Sequence, residues 1–253
     1  MKVVVLVNSV PDTAATPEIA ADGRTVLTDQ LEFILDPYDE FAVEEAVRLK
    51  ESLGAEVIAV SIGGDVARKA LRCAFALGVE TGVLVRLPAG MELIGRERAL
   101  CLVPTLHELQ PDLILAGKQT VDSDDAQVPE RLAELLEYVH ASAVSHLTVG
   151  NNKRLVANRE IEGGHLVLDL PLPAVVTTEK GINVPRYPTL PQVLNAKNKP
   201  LREVAPPMLD VDLPPGWSVE SVKLQHTERK QQIFAGEIAA GVQHLAELLR
   251  QEV

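Results

Sequence analysis

The chain reads as an α/β protein with a doubly wound, mainly parallel sheet of Rossmann-like type and a C-terminal arm of the kind that grips a partner. Three observations predict this. Residues 3–7 form a continuous apolar, β-branched run, which marks a strand buried on both faces and hence a parallel sheet. Strand-like and helix-like stretches then alternate as far as Leu136, the order that right-handed crossovers need. Glycines close the first two helical stretches, at Gly54 and Gly78, as helix C-termini favour.

The elements follow in order. A loop rich in Pro, Ala, Asp and Gly covers residues 9–24. Asp36-Pro37-Tyr38-Asp39 opens the first helix: Asp36 is a cap, Pro37 suits the first turn, and Asp39 stands three residues after the cap. Val43, Ala46, Val47 and Leu53 keep helical spacing. Residues 56–61 are a second strand, followed by a turn at Gly63-Gly64-Asp65 and a helix over 66–77. Strands are expected at 82–87 and 112–116, and helices at 96–109 and 127–136. The pattern then changes. Residues 155–170 read as a hairpin turning at Glu162-Gly163-Gly164, and Ala174–Thr178 as another buried strand. The stretch 190–216 is proline-dense with little period. Residues 234–250 form an amphipathic helix with Ile238, Val242, Leu245 and Leu249 on one side. The expected division is an α/β domain over 1–195 and an extended arm with its helix over 196–253.

Composition narrows the function. The 253 residues carry a formal net charge of −12, and aromatics are 3%. Nucleic acid demands a basic face and stacking rings, and anionic membranes demand basic patches. No apolar run approaches the ~20 residues of a membrane span, and the start lacks a small-residue cleavage site. Cys73 and Cys101 fall in no metal pattern, and both are expected to be buried thiols in a reducing compartment. The six histidines have no ligand spacing, GxGxxG and GxSxG are absent, and no metal or catalytic residue is assigned. The expectation is a soluble, cytoplasmic protein that is not an enzyme.

In open α/β sheets, ligands bind beyond the carboxyl ends of the strands. The segments expected there are Asn8-Ser9 after the first strand, 36–39, 62–65 and 117–127. The richest is Gly117-Lys118-Gln119-Thr120-Val121-Asp122-Ser123-Asp124-Asp125-Ala126-Gln127, more polar than a mere connection needs. It is not a GxxxxGK[ST] phosphate loop. Its aspartates repel phosphate, so they shape the loop or meet a ribose hydroxyl, and Lys118 with the backbone N–H groups is the expected phosphate partner.

That stretch resembles the GKQxxDxD…Q signature of the electron-transfer flavoprotein β-subunit family. Further segments match in order: Asp36-Pro37-Tyr38 with Ala42-Val43-Glu44-Glu45-Ala46, Arg159-Glu160 with Gly163-Gly164, Leu172-Pro173-Ala174-Val175-Val176-Thr177, and Pro185-Arg186-Tyr187 with Thr189-Leu190-Pro191. The likeness spans residues 1 to about 200. It implies an adenine-nucleotide-binding fold that holds AMP and pairs with a larger α subunit carrying most of the site for a shared FAD. The heterodimer would take electrons from dehydrogenases such as acyl-CoA dehydrogenase and pass them to a quinone oxidoreductase. On this likeness Leu6, Asp36, Pro37, Tyr38, Asp39, Ile62 and the run from Gly117 through Gln127 to Val128 form the AMP pocket. Tyr187, Leu190, Pro191 and Lys197 belong to a recognition loop over 183–197 that docks the dehydrogenase. Two departures stand out. Asn8-Ser9 follows the first strand where many members carry Lys-Arg, and the basic run after Leu-Pro is thinned to Lys197 and Lys199. Two other readings stay open: an electron-bifurcating branch with a second FAD in place of AMP, and a stand-alone adenine-nucleotide-binding protein.

Overall fold

The computed structural model describes residues 1–88, 91, 93–150, 154–207, 219–224, 233–234 and 236–251. By contact the chain divides into two units, one of residues 1–18 with 27–217 and one of residues 19–26 with 218–253.

The first unit is built on strand β1 (Lys2–Leu6), with the short antiparallel pair β2 (Ser9–Pro11) and β5 (Phe33–Leu35) beyond it. The two-residue strands β3 (Glu18–Ile19) and β4 (Val26–Leu27) lie where the chain passes between the units. Then come α1 (Pro37–Leu53), β6 (Glu56–Gly63), α2 (Asp65–Leu77), β7 (Thr81–Arg86), α3 (Gly95–Leu109), β8 (Leu113–Gly117) and α4 (Val128–Leu136). The long strand β9 (Val139–Val149) is followed by the hairpin β10 (Arg154–Ile161) and β11 (Gly164–Pro171), then β12 (Ala174–Thr178), helix α5 (Leu190–Ala196) and strand β13 (Leu201–Val204). Helix α6 (Ile238–Gln251) belongs to the second unit.

Nine of the strands form one sheet in the order β11-β10-β9-β12-β8-β1-β6-β7-β13, and β2-β5 and β3-β4 are separate two-stranded pairs. From β9 to β13 every neighbouring pair runs parallel, and β10 and β11 extend the sheet antiparallel. Side chains alternate between two cores. Val3, Val5, Val57 and Ala59 meet α1 and α2 through Val43, Ala46, Leu71 and Phe75 on one face. Val4, Leu6, Ile58 and Val60 meet α3 and α4 through Leu102, Leu106 and Leu132 on the other. This is the doubly wound, mainly parallel fold that the alternating runs predict.

Three elements and one thiol stand out against the expectation. β9 was not anticipated because its sequence, VHASAVSHLTV, mixes small and polar residues into the alternation, and only Ala141, Val144 and Leu147 are buried. Helix α5 occupies a stretch expected to be irregular. Thr189 and Gln192 form a capping box before it, and Pro191 falls in its first turn, where the missing N–H is not needed. β13 pairs with β7 as the sheet's edge, so a strand beyond residue 195 belongs to the α/β unit. Cys73 is exposed, whereas Cys101 is buried.

In the second unit the backbone N–H of Val222 donates to Gly23 (2.8 Å), and Arg24 Nε donates to the Glu220 carbonyl (3.2 Å). The His244 ring of α6 meets Phe234 edge-on with centroids 5.2 Å apart. Along α6, Ile238, Val242, Leu245 and Leu249 are all exposed. Among the described residues no helix is long and apolar enough to cross a membrane.

Candidate functional site

The winding of the fold reverses at β1. The crossovers through α1 and α2 lead to β6 and β7 on one side, and α3 returns the chain to β8 on the other. The diverging loops open a crevice beyond the strand ends at such a point. Here it is a cleft of about 440 Å³, bounded by the ends of β1, β6 and β8 and by the starts of α2, α3 and α4. Leu6, Ile62, Gly117, Lys118, Gln119, Thr120, Asp122, Ser123, Asp125, Ala126, Gln127 and Val128, all singled out in the sequence, line it.

The four helix starts near this end of the sheet are not alike. At α1, the Asp36 side chain accepts from the Tyr38 N–H and closes the terminus. Gly64 before α2, Ile94 before α3 and Gln127 before α4 supply no side-chain cap. The N–H groups of three helix starts, with the positive ends of three helix dipoles, are thus left toward the cleft. Such an arrangement suits an anion, and phosphate above all.

Asp36, Pro37, Tyr38 and Asp39 lie outside this lining. Asp36 and Asp39 are fully buried and act as braces beneath the cleft. Asp36 accepts from the Val121 N–H (2.8 Å) besides its own helix start. Asp39 accepts from the Gly117 N–H (2.9 Å), the Asn8 N–H (2.7 Å) and Asn8 Nδ2 (3.0 Å). Two carboxyls on one turn of α1 therefore tie together the ends of β1 and β8 and the loop after β8. Burial without a cation, and then the neighbouring Asp36, push the Asp39 carboxyl up to about 7. Burial also raises Asp36, against three backbone N–H donors. Gly117 is required by close approach: a Cβ there would stand 2.7 Å from Tyr38 Cβ and 2.8 Å from Asp39 Oδ1.

The loop after β8 holds its own shape, as its aspartates suggest. Asp122 accepts from Thr120 Oγ1 (2.5 Å), Asp124 from Gln119 Nε2 (2.6 Å), and Asp125 from the Gln127 N–H (3.0 Å). Val121 and Asp124 are not among the lining residues. Lys118 has a partner within the chain. Its ammonium is bound to Glu179 (2.5 Å) and sits 5.3 Å from the Tyr38 ring centre, and the Glu179 contact raises its pKa. Asn8 and Ser9, which follow the first strand, also line the cleft, together with two residues that the sequence reading missed, Ser61 and Arg98. Arg98 donates to Asn8 Oδ1 (3.0 Å). The hydroxyls of Ser9 and Ser61 are buried with no hydrogen-bond partner among the described residues.

Comparison with known proteins bears on this geometry. The family model for the electron transfer flavoprotein domain matches residues 24–209. The human protein described as electron transfer flavoprotein subunit beta is 39% identical over 226 residues, covering 88% of each chain. The protein of that description from Bacillus subtilis (strain 168) is 34% identical over 239 residues, covering 93% of each. A mitochondrial one from Oryza sativa subsp. japonica is 35% identical over 262 residues, covering 100% of this chain and 98% of its own. The chain belongs to the electron-transfer flavoprotein β-subunit family.

Two of the family-like segments prove to be halves of one structure. Glu44 and Glu45, buried on α1, face the chain that leads into α5. Arg186 Nε and Nη2 donate to Glu44 (2.8 and 3.1 Å), and Nη1 and Nη2 donate to Glu51 (2.6 and 2.9 Å). Asn183 Nδ2 donates to Glu45 and to the Phe41 carbonyl, both at 3.0 Å. Burial raises the Glu44 carboxyl, but the Arg186 contacts outweigh it and the net shift is downward. The anchored segment turns its apolar side chains outward: Tyr187 is 95% and Leu190 71% exposed. Pro191 and Lys197 are exposed as well. Leu190 is the first residue of α5, so its outward direction is fixed by a capped helix rather than by an irregular loop.

Proposed function

We propose that the chain is the β subunit of a heterodimeric electron-transfer flavoprotein and that the cleft at the β1/β8 switch point holds AMP. The observation that carries this is the meeting of three uncapped helix starts at one cleft, with two buried, unpartnered serine hydroxyls in its wall. The partner is the α subunit, which holds most of the FAD, and the bound flavin supplies the electron-carrying chemistry. The β chain has no catalytic residue in this reading. It braces the nucleotide, completes the heterodimer and docks the electron donor. The exposed row Ile238, Val242, Leu245 and Leu249 of α6 is a surface for the α subunit. Tyr187, Leu190, Pro191 and Lys197 form the docking face for a dehydrogenase, of the acyl-CoA type, and a quinone oxidoreductase takes the electrons onward. The compartment is the cytoplasm, where the thiols of Cys73 and Cys101 stay reduced.

Co-expression with the cognate α chain tests the assembly. A one-to-one complex that carries FAD and is reduced by an acyl-CoA dehydrogenase with its substrate is the expected result. A chain that purifies as a folded homo-oligomer and ignores the α chain would contradict it.

A further inference from the structure

We infer that Arg98, oriented by Asn8 and Asp39, is the residue that recognises the phosphate of the nucleotide in the cleft. The inference rests on reading the cleft as an AMP site. Of the two cationic side chains among the lining residues, Lys118 is neutralised by Glu179. Arg98 is different: it makes no ion pair among the described residues, and one of its terminal nitrogens, Nη2, donates to a neutral amide oxygen, Asn8 Oδ1 (3.0 Å). A guanidinium has five N–H donors, so donors remain for a ligand.

The orientation of Asn8 follows from its two neighbours. The Asp39 carboxylate oxygen beside it needs a donor, so the NH₂ group faces Asp39 (3.0 Å). The Arg98 guanidinium has only donors, so the carbonyl faces Arg98. A flipped amide would set like against like on both sides. Asp39, Asn8 and Arg98 thus form a relay from the buried brace to the cleft. A second feature points to a ligand at this place. Ser61, also in the lining, is 3% exposed, and its hydroxyl has no partner among the described residues. A buried hydroxyl left without a partner is disfavoured unless a ligand completes it. Arg98 stands in the first turns of α3, beside N–H groups that no side chain caps. A planar fork next to free N–H groups matches the oxygens of a phosphate monoester better than a point charge does.

The test uses the purified heterodimer, stripped of nucleotide by dialysis, with wild type, Arg98→Gln and Arg98→Lys. AMP and adenosine are titrated by calorimetry. Loss of a charge-assisted phosphate contact predicts that Arg98→Gln weakens AMP about 10- to 150-fold. Adenosine, which has no phosphate, should bind as in wild type, and Arg98→Lys should lose less AMP affinity than Arg98→Gln. Salt should weaken AMP more in wild type than in Arg98→Gln. Unchanged AMP affinity in Arg98→Gln would overturn the assignment, as would an equal loss of AMP and adenosine. A wild-type complex that binds neither ligand would sink the AMP reading itself and this assignment with it.

Discussion

Removing the Arg186 side chain should separate the two carboxylates it holds. Glu51 is 56% exposed at its side chain, and ion pairs of that kind are worth about 0–1 kcal/mol. Glu44 is only 6% exposed, and losing its cation leaves a charge under the segment. Stripping one partner from a fully buried pair costs about 3–5 kcal/mol. Two features reduce that here. Arg186 is itself 33% exposed, and Arg48 remains 3.1 Å from Glu44 as a second donor. About 2 kcal/mol is therefore expected for Arg186→Met, which keeps the alkyl stem, and under about 1 kcal/mol for Glu51→Gln. For a chain of this size that is about 4–8 °C in the melting temperature of the first and about 0–4 °C for the second. Because the same contacts anchor Tyr187 and Leu190, Arg186→Met should also slow flavin reduction by the dehydrogenase, while direct reduction by dithionite stays at the wild-type rate. Thermal unfolding and the two reduction assays on the heterodimer check this. Equal melting losses in both variants would refute the ranking by burial. A wild-type coupled rate in Arg186→Met would refute the anchoring.

Other expectations follow from single features of the site. Gly117→Ala should cost about 1–3 kcal/mol by overpacking against Tyr38 and should reduce AMP retained on gel filtration, whereas full retention would mean that the contact relaxes freely. Asp39 is raised from an ordinary 3.8 to about 7, so the folded chain holds its proton more tightly than the unfolded chain does. The stability this contributes is complete below about 3.8 and is lost as pH rises through about 7. The melting temperature of wild type should therefore fall relative to Asp39→Asn between about pH 5 and about pH 8, and parallel curves would contradict the burial argument. Leu190→Ala should leave stability within about 0.5 kcal/mol, since the side chain is 71% exposed, yet weaken docking about 5- to 150-fold. A normal coupled rate in that variant would remove Leu190 from the docking face.

The frame of the fold was legible because its signals are local. The run at 3–7, the cap at Asp36 and the glycines at 54 and 78 each depend on near neighbours, and β1, α1 and α2 lie close to where these place them. The polar run after β8 identified one wall of the cleft for the same reason. What stayed hidden was set by distant pairing. Glu179, 61 residues away, pairs with the Lys118 ammonium. Asn8 meets Arg98 across 90 residues, and only the fold shows that Arg98 reaches the cleft. Asp36 reads from sequence as a helix cap, which it is, but its second acceptor bond reaches Val121, 85 residues on. Glu44 and Glu45 break the apolar face of α1 with no local reason. Their partners, Arg186 and Asn183, come from the other end of the unit. β9 and α5 were missed because small and polar residues blur one, and prolines hide the capping box of the other.

The central claim is that this chain holds AMP at the switch-point cleft within a flavin-bearing heterodimer. Its most direct test is to denature the purified heterodimer and count the released nucleotides by chromatography. One FAD and one AMP per heterodimer is the result expected from three open helix starts and a single guanidinium in the cleft. Two FAD with no AMP would place a second flavin there, and no adenine nucleotide beyond the one FAD would contradict the account of the cleft altogether.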